Sequence, residues 1–288
     1  MTASPHPAGF PDDLVTQALD AALALPVAHV PVLGLSGLQG SGKSTLATQI
    51  AALAQARGLQ AAVVSIDDFY LRKAQRATLA RDVHPLLATR GPPGTHDIAL
   101  ALGTLDALRS GEATALPRFD KLADERVDES QWPRLQARAD VVIFEGWFLG
   151  TPAEDETALV EPINALERNE DADGTWRHWC NAALARDYPA LWSRIDTLWF
   201  LQPSGGFEIV PQWRWQQECA LQAWSLQAQS MQAGDPVRQA MNRAQVEHFV
   251  MHYERISRQA LRTLPAIAAM TVPLDARRRP LQLNPPRR

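Results

Sequence analysis

Residues 37–44 read GLQGSGKS and follow an apolar run, Val30 to Leu35. The octapeptide has the G-x-x-x-x-G-K-[ST] spacing of a phosphate-binding loop, which works only between a buried strand and a helix. Gly40 and Gly42 let backbone N–H groups turn inward, Lys43 can reach the β- and γ-phosphate oxygens, and the Ser44 hydroxyl can ligate Mg²⁺. Lys43 to Arg57 is rich in Ala, Leu and Gln. A helix there would point its positive N-terminal end at the phosphates. The expected nucleotide-binding residues are Gly37, Gln39, Gly40, Ser41, Gly42, Lys43, Ser44 and Thr45.

Further runs rich in β-formers occur at Ala61–Ile66, Asp140–Phe144, Thr197–Leu201 and Ala269–Pro273, after the first at His29–Leu35. Their apolar character is that of strands covered on both faces. Helical spacing marks Asp12–Leu25, and a further helix is expected from about Asp97 to Arg109, with Thr95 as its N-cap and Gly111 ending it. Alternating strands and helices predict an α/β fold, a doubly wound parallel sheet in one domain over residues 1–288. Leu79–Gly94 and Arg118–Pro133 read as loops over a substrate site. The acid-rich stretch Thr151–Asp173 reads as a solvated excursion. Late helices are expected at Gln212–Ala233 and Pro236–Thr263, and a loose basic tail at Arg277–Arg288.

The second strand ends in Ser65-Ile66-Asp67-Asp68-Phe69-Tyr70, which puts two carboxylates at the carboxyl edge of the sheet, where such folds bind ligands. A carboxylate there can orient an acceptor hydroxyl and take its proton. Asp67 is the first choice and Asp68 the alternative, although aspartates also cap turns. The third strand closes on Glu145, a candidate Mg²⁺ ligand with Ser44, or else a cap beside Gly146. Arg214 lies between Trp213 and Trp215, after the flexible Pro203-Ser204-Gly205-Gly206. It could swing over the phosphates as part of a lid at about 203–235, or stack on tryptophan at the surface. Arg90, His96, Arg118 and Lys121 lie in the irregular segments and could clamp a negatively charged acceptor.

A net charge of −4 and a pI near 6.0 give no basic footprint, so nucleic acid and anionic membranes are not expected partners. No apolar stretch approaches the about 20 residues that span a bilayer. Cys180 and Cys219 lack metal or disulfide spacing, which fits a reducing cytoplasm. Met1–Phe10 lacks the basic n-region of a signal peptide. The expected partner is a small molecule, and the sequence leaves the oligomeric state open.

The strings GLQGSGKST, SIDDFYL, RGPPGTHDIAL, PRFDK, DESQWP, VVIFEGWFLG, VEPIN and QWRWQQE, between about Val30 and Tyr253, closely resemble the ATP-dependent D-glycerate 3-kinase family. That family is grouped with uridine kinase, phosphoribulokinase and pantothenate kinase, which share a D-x-F-Y element after the second strand. The resemblance implies a P-loop fold with a helical lid, and MgATP-dependent phosphorylation of D-glycerate at its 3-hydroxyl. It puts the D-x-F-Y aspartate on Asp67, with Asp68 and Tyr70 beside it. It also carries over Arg90, His96, Asp97, Arg118, Asp120 and Lys121 as substrate-site residues, and Arg214 as the lid cation. Two departures stand out: only Leu122–Val127 separates PRFDK from DESQWP, and Pro92 and Pro93 stiffen the RG-x-x-G turn. The competing readings are a kinase for a nucleoside, sugar phosphate or pantothenate, and a nucleotide-dependent regulatory NTPase. The latter finds no [NT]-K-x-D string in the sequence.

Overall fold

A computed structural model of the protein describes residues 9–229 and 241–281. In chain order its main elements are α1 (Asp12–Leu23), β1 (Val32–Gly37), α2 (Lys43–Ala56), β2 (Ala61–Ser65), α3 (Lys73–Asp82) and α4 (Ile98–Ser110). A two-residue hairpin follows, β3 (Phe119–Asp120) and β4 (Glu125–Arg126), then β5 (Val141–Gly146), α5 (Ala165–Glu170) and α6 (Thr175–Trp192). The chain continues with β6 (Thr197–Pro203), α7 (Val210–Gln229), α8 (Arg243–Ile267) and β7 (Met270–Leu274).

Five strands form one wholly parallel sheet in the order β2-β5-β1-β6-β7. Side chains alternate across it because successive Cβ atoms of a strand point to opposite faces. Leu33 and Leu35 of β1, Val141 and Ile143 of β5, and Trp199 and Leu201 of β6 pack with α1 and α2. Val32, Val142, Phe144, Leu198 and Phe200 pack on the other face with α4, α6 and α8. Both faces are dry, which is why these strands read as unbroken apolar runs rather than alternating ones. The expected strands and the doubly wound class are all present.

α1 buries Leu14, Val15, Ala18, Leu19 and Ala22, one stripe at helical spacing. α8 does the same with Val246, Val250, Tyr253, Ala260 and Leu264. Gly111 ends α4 in the left-handed region (φ 84°). The N-cap of α4 is Asp97, whose side chain accepts from Leu100 N, and not the expected Thr95. The Thr95 hydroxyl is used inside the preceding turn, accepting from Gly91 N and donating to Pro92 O.

Three expectations for irregular segments change. Leu79–Gly94 begins inside α3 and continues into a short 3₁₀ turn. Thr151–Asp173 is solvated only in part: Asp155, Glu156, Glu161, Glu170 and Asp173 are exposed as expected, but Glu167 and Asp171 are buried partners of Arg255 and Arg177, and the Glu154 carboxylate also pairs with Arg255. Acidic side chains so placed are internal counter-charges. The tail is not loose at its start: Leu281 N donates to Pro273 O, and Leu274 bridges Pro280. Residues 282–288, the expected lid beyond Gln229, the start of the second late helix before Arg243, and most of Met1–Phe10 lie outside the described residues or at their edge. No described helix is long and apolar enough to cross a membrane.

Candidate active site

The carboxyl ends of β1, β2 and β5 lie side by side and deliver three chemistries to one edge. From β1 comes the phosphate loop. Gly42 is the N-cap of α2 at φ 97°, and no side chain caps that helix, so its first N–H groups remain available to an anion. Gly40 (φ 79°) lies so close to α7 that an added Cβ would stand 2.6 Å from Trp213 Cβ. Lys43 is buried and donates to Leu38 O at 3.1 Å, folding back over its own loop. Burial lowers its pKa, and the charges of Glu145 and Asp67 oppose that fall. Those three charges therefore share one neighbourhood.

From β5 comes Glu145, which is buried and whose Oε1 accepts from the Ser44 hydroxyl at 3.0 Å. Two hard oxygen ligands facing each other beside the phosphate loop fit Mg²⁺, which takes oxygen donors almost exclusively. A role for Glu145 confined to capping does not use this pairing.

From β2 comes the Asp67-Asp68 pair, on a 3₁₀ turn rather than an extended segment, so the two side chains diverge. Asp67 accepts from Tyr70 Oη at 2.6 Å and from Lys121 Nζ at 2.6 Å. Burial alone would raise its pKa, but the Lys121 ammonium and these two hydrogen bonds outweigh it and hold it at about 2. Asp68 turns the other way, to Arg118 Nη1 at 3.3 Å and Phe119 N at 3.1 Å. There burial wins over Arg118 and pushes the pKa up to about 6. Asp68 thus anchors the β3–β4 hairpin, and that hairpin returns Lys121 to Asp67.

The other expected site residues gather around this pair to different degrees. Arg90 binds Asp124 and Lys121 O, and lies 5.6 Å from the Phe119 ring centre. His96 is buried against Tyr70, with ring centres 5.0 Å apart. Asp97 pairs with Arg126 at 3.1 Å in addition to capping α4. Asp120 is exposed and its Oδ1 accepts from Leu122 N and Ala123 N, so it shapes the hairpin turn. Arg214 pairs with Glu218 at 3.0 Å and lies over Phe249. Its turn of α7 is anchored by Trp213, which is fully buried and donates to Ala276 O. The short segment with Gly205 and Gly206 leads into a helix start that packs Trp213 in the core.

Two arginines absent from the sequence reasoning help hold the site. Arg126, buried on β4, donates to Tyr70 O at 3.0 Å and ties the aspartate turn to α4. Arg278, after β7, donates to Gly40 O and to Trp213 O, and stacks 5.3 Å from the Trp213 ring centre. It joins the phosphate loop to α7 from a stretch expected to be loose. Only the basic character of that stretch hinted at it.

No protein-family model matches the chain. Among individual proteins it is 34% identical over 231 residues to the uncharacterized kinase mug58 of Schizosaccharomyces pombe, an alignment covering 77% of this chain and 78% of the relative. It is 30% identical over 275 residues to the chloroplastic D-glycerate 3-kinase of Arabidopsis thaliana, covering 88% of this chain and 54% of that relative, so about half of the plant protein is spanned. The fold superposes on a D-glycerate 3-kinase from Cryptococcus neoformans with a TM-score of 0.72 and 25% identity, over 94% of this chain and 96% of that one. Together with the phosphate loop and the aspartate turn at its edge, these likenesses show that the chain belongs to the kinase family of mug58, and it is similar in sequence and fold to D-glycerate 3-kinases.

Proposed function

We propose that the protein phosphorylates D-glycerate at its 3-hydroxyl with ATP, releasing 3-phosphoglycerate and ADP. The observation that carries this reading is the Asp67 carboxylate, ionised and held by Tyr70 and Lys121 within the electrostatic reach of Lys43. That is the arrangement an acceptor hydroxyl needs to face a terminal phosphate. A small carboxylic acid suits the cations nearby: Lys121, Arg118 and Arg90 are each paired with protein acids or carbonyls, and an incoming carboxylate can exchange with those partners.

The phosphate loop and the N-terminus of α2 would bind the phosphates, and Lys43 would offset their charge. Ser44 and Glu145 would hold Mg²⁺, which when bound neutralises charge on the phosphate oxygens. Asp67 orients the acceptor hydroxyl and takes its proton as the new P–O bond forms. Its low pKa is no obstacle, because phosphoryl transfer depends more on positioning and electrostatics than on a strong base. Arg214 serves as the lid cation once released from Glu218. A reducing, cytoplasmic setting is part of the proposal, and Cys180 and Cys219 are both free.

ADP release from MgATP in the presence of D-glycerate, L-glycerate, uridine and pantothenate tests the reading. Release dependent on D-glycerate supports it. Release independent of any acceptor points to the regulatory NTPase, and preference for a neutral acceptor removes the role of the cations.

A further inference from the structure

Tyr188 lies on α6, far in sequence from any nucleotide or substrate motif, yet its phenol meets the site through His96. Its Oη accepts from Gly94 N at 2.9 Å and lies 2.7 Å from His96 Nδ1. The side chain is fully buried, and burial raises its pKa far beyond the physiological range, so the hydroxyl keeps its hydrogen. Gly94 already donates to the oxygen. The one phenolic hydrogen then has a single acceptor among the described residues, Nδ1 of His96.

This fixes the tautomer. A proton on Nδ1 would give Oη two donors and leave its own hydrogen buried without an acceptor, the costlier arrangement. The neutral ring therefore carries its proton on Nε2. Burial holds the imidazole pKa down at about 4, in keeping with a neutral ring. Nε2 is itself shielded from water and has no partner among the described residues. Buried N–H groups are rarely left so. The ring packs on Tyr70, whose hydroxyl holds Asp67, and the charge of Asp67 acts on it. The unused donor thus belongs to the neighbourhood where an acceptor hydroxyl is expected.

We propose that Tyr188 is a positioning residue that locks His96 as an Nε2–H donor for an oxygen of the hydroxy-acid substrate. This rests on the reading that the acceptor binds beside Asp67. The chain of donors, Gly94 N–H to Tyr188 and Tyr188 O–H to His96, has one unpaired terminus, and that terminus carries no charge. It recognises an oxygen by geometry while the surrounding cations answer the carboxylate.

The test uses the full chain labelled with ¹⁵N-histidine. Long-range ¹H–¹⁵N correlation, with His96 assigned by its loss in His96→Gln, should show the Nε2–H pattern in wild type and its collapse toward a mixture in Tyr188→Phe. Adding D-glycerate without ATP should shift the Nε2 signal. In turnover, Tyr188→Phe should raise KM for D-glycerate about tenfold, the loss of one well-placed hydrogen bond, with KM for ATP unchanged. In the His96→Gln background the glutamine amide donates without needing a tautomer, so adding Tyr188→Phe should change KM less than about twofold. A purely structural tyrosine would act equally in both backgrounds and overturn the proposal, as would an Nδ1–H pattern in wild type. If ADP release shows no response to D-glycerate, the substrate reading falls, while collapse of the tautomer in Tyr188→Phe still supports the positioning role.

Discussion

Lys121 Nζ stands 2.6 Å from Asp67 Oδ2 across 54 residues of sequence, and the β3–β4 hairpin exists to make that meeting. The pair keeps Asp67 ionised, and in the proposed function Lys121 is a cation that a substrate carboxylate takes over. Replacing Asp67 by Asn removes the proposed proton acceptor but keeps the shape of the turn. We expect kcat to fall by about 10²–10⁴, the usual worth of a positioned acid or base. ATP affinity measured by calorimetry should stay within about threefold, since no phosphate contact is lost. Loss of ATP binding in parallel with kcat would place Asp67 in nucleotide binding instead.

The two neighbouring aspartates make opposite contributions to stability as pH changes. Asp68 has a folded pKa of about 6 against 3.8 ordinarily. Between those values the folded state binds more protons than the unfolded one, so stability falls as pH rises from about 4 to 6. Asp67, at about 2 in the fold, contributes stability that is present above about 4 and lost as pH falls toward 2. Urea unfolding of wild type and Asp68→Asn should therefore show the variant gaining on wild type from pH 4 to 6, with a constant difference above. A difference independent of pH would contradict the buried setting of Asp68.

Glu167 and Arg255 test the corrected view of the acid-rich segment. Both are buried, and Arg255 grips Glu167 through Nε at 2.8 Å and Nη2 at 2.6 Å. Glu167→Gln leaves an arginine charge short of its partner, and breaking a buried pair this way costs about 3–5 kcal/mol. Chemical unfolding should show a loss of that order, whereas a solvated acid would change stability by less than about 0.5 kcal/mol.

Much of the fold was readable because buried parallel strands and a phosphate loop leave local marks. Val141–Phe144 is apolar throughout, Gly111 closes a helix, and GLQGSGKS dictates strand, turn and helix within a few residues. Asp67 was readable for the same reason: a strand end places it. The rest of the site depends on contacts between distant segments. Tyr188 matters only because α6 brings it to His96, and Arg278 only because β7 returns the chain to Gly40. Glu167 and Asp171 could not be told from the exposed acids around them because their arginine partners are on other helices, Arg255 on α8 and Arg177 on α6. Thr95 has the chemistry of an N-cap, but the bridge between Tyr70 and His96 sets the chain path and gives that position to Asp97.

Arg278 leads to a prediction about nucleotide binding. Its guanidinium donates to Gly40 O in the phosphate loop and covers Trp213. Arg278→Ala removes a charged hydrogen bond to the loop, an interaction worth about 1.5–3 kcal/mol. ATP binding should weaken by about tenfold or more. The KM for the acceptor should hardly move, and an equal loss on both sides would show general unfolding of the loop region.

The most direct test of the central claim is ³¹P and ¹³C NMR of the product formed from MgATP and D-glycerate, by wild type and by Asp67→Asn in parallel. The account predicts 3-phosphoglycerate with stoichiometric ADP from wild type and next to none from the variant. Product phosphorylated elsewhere, ADP and inorganic phosphate without a phosphorylated acid, or equal turnover by the variant would contradict it.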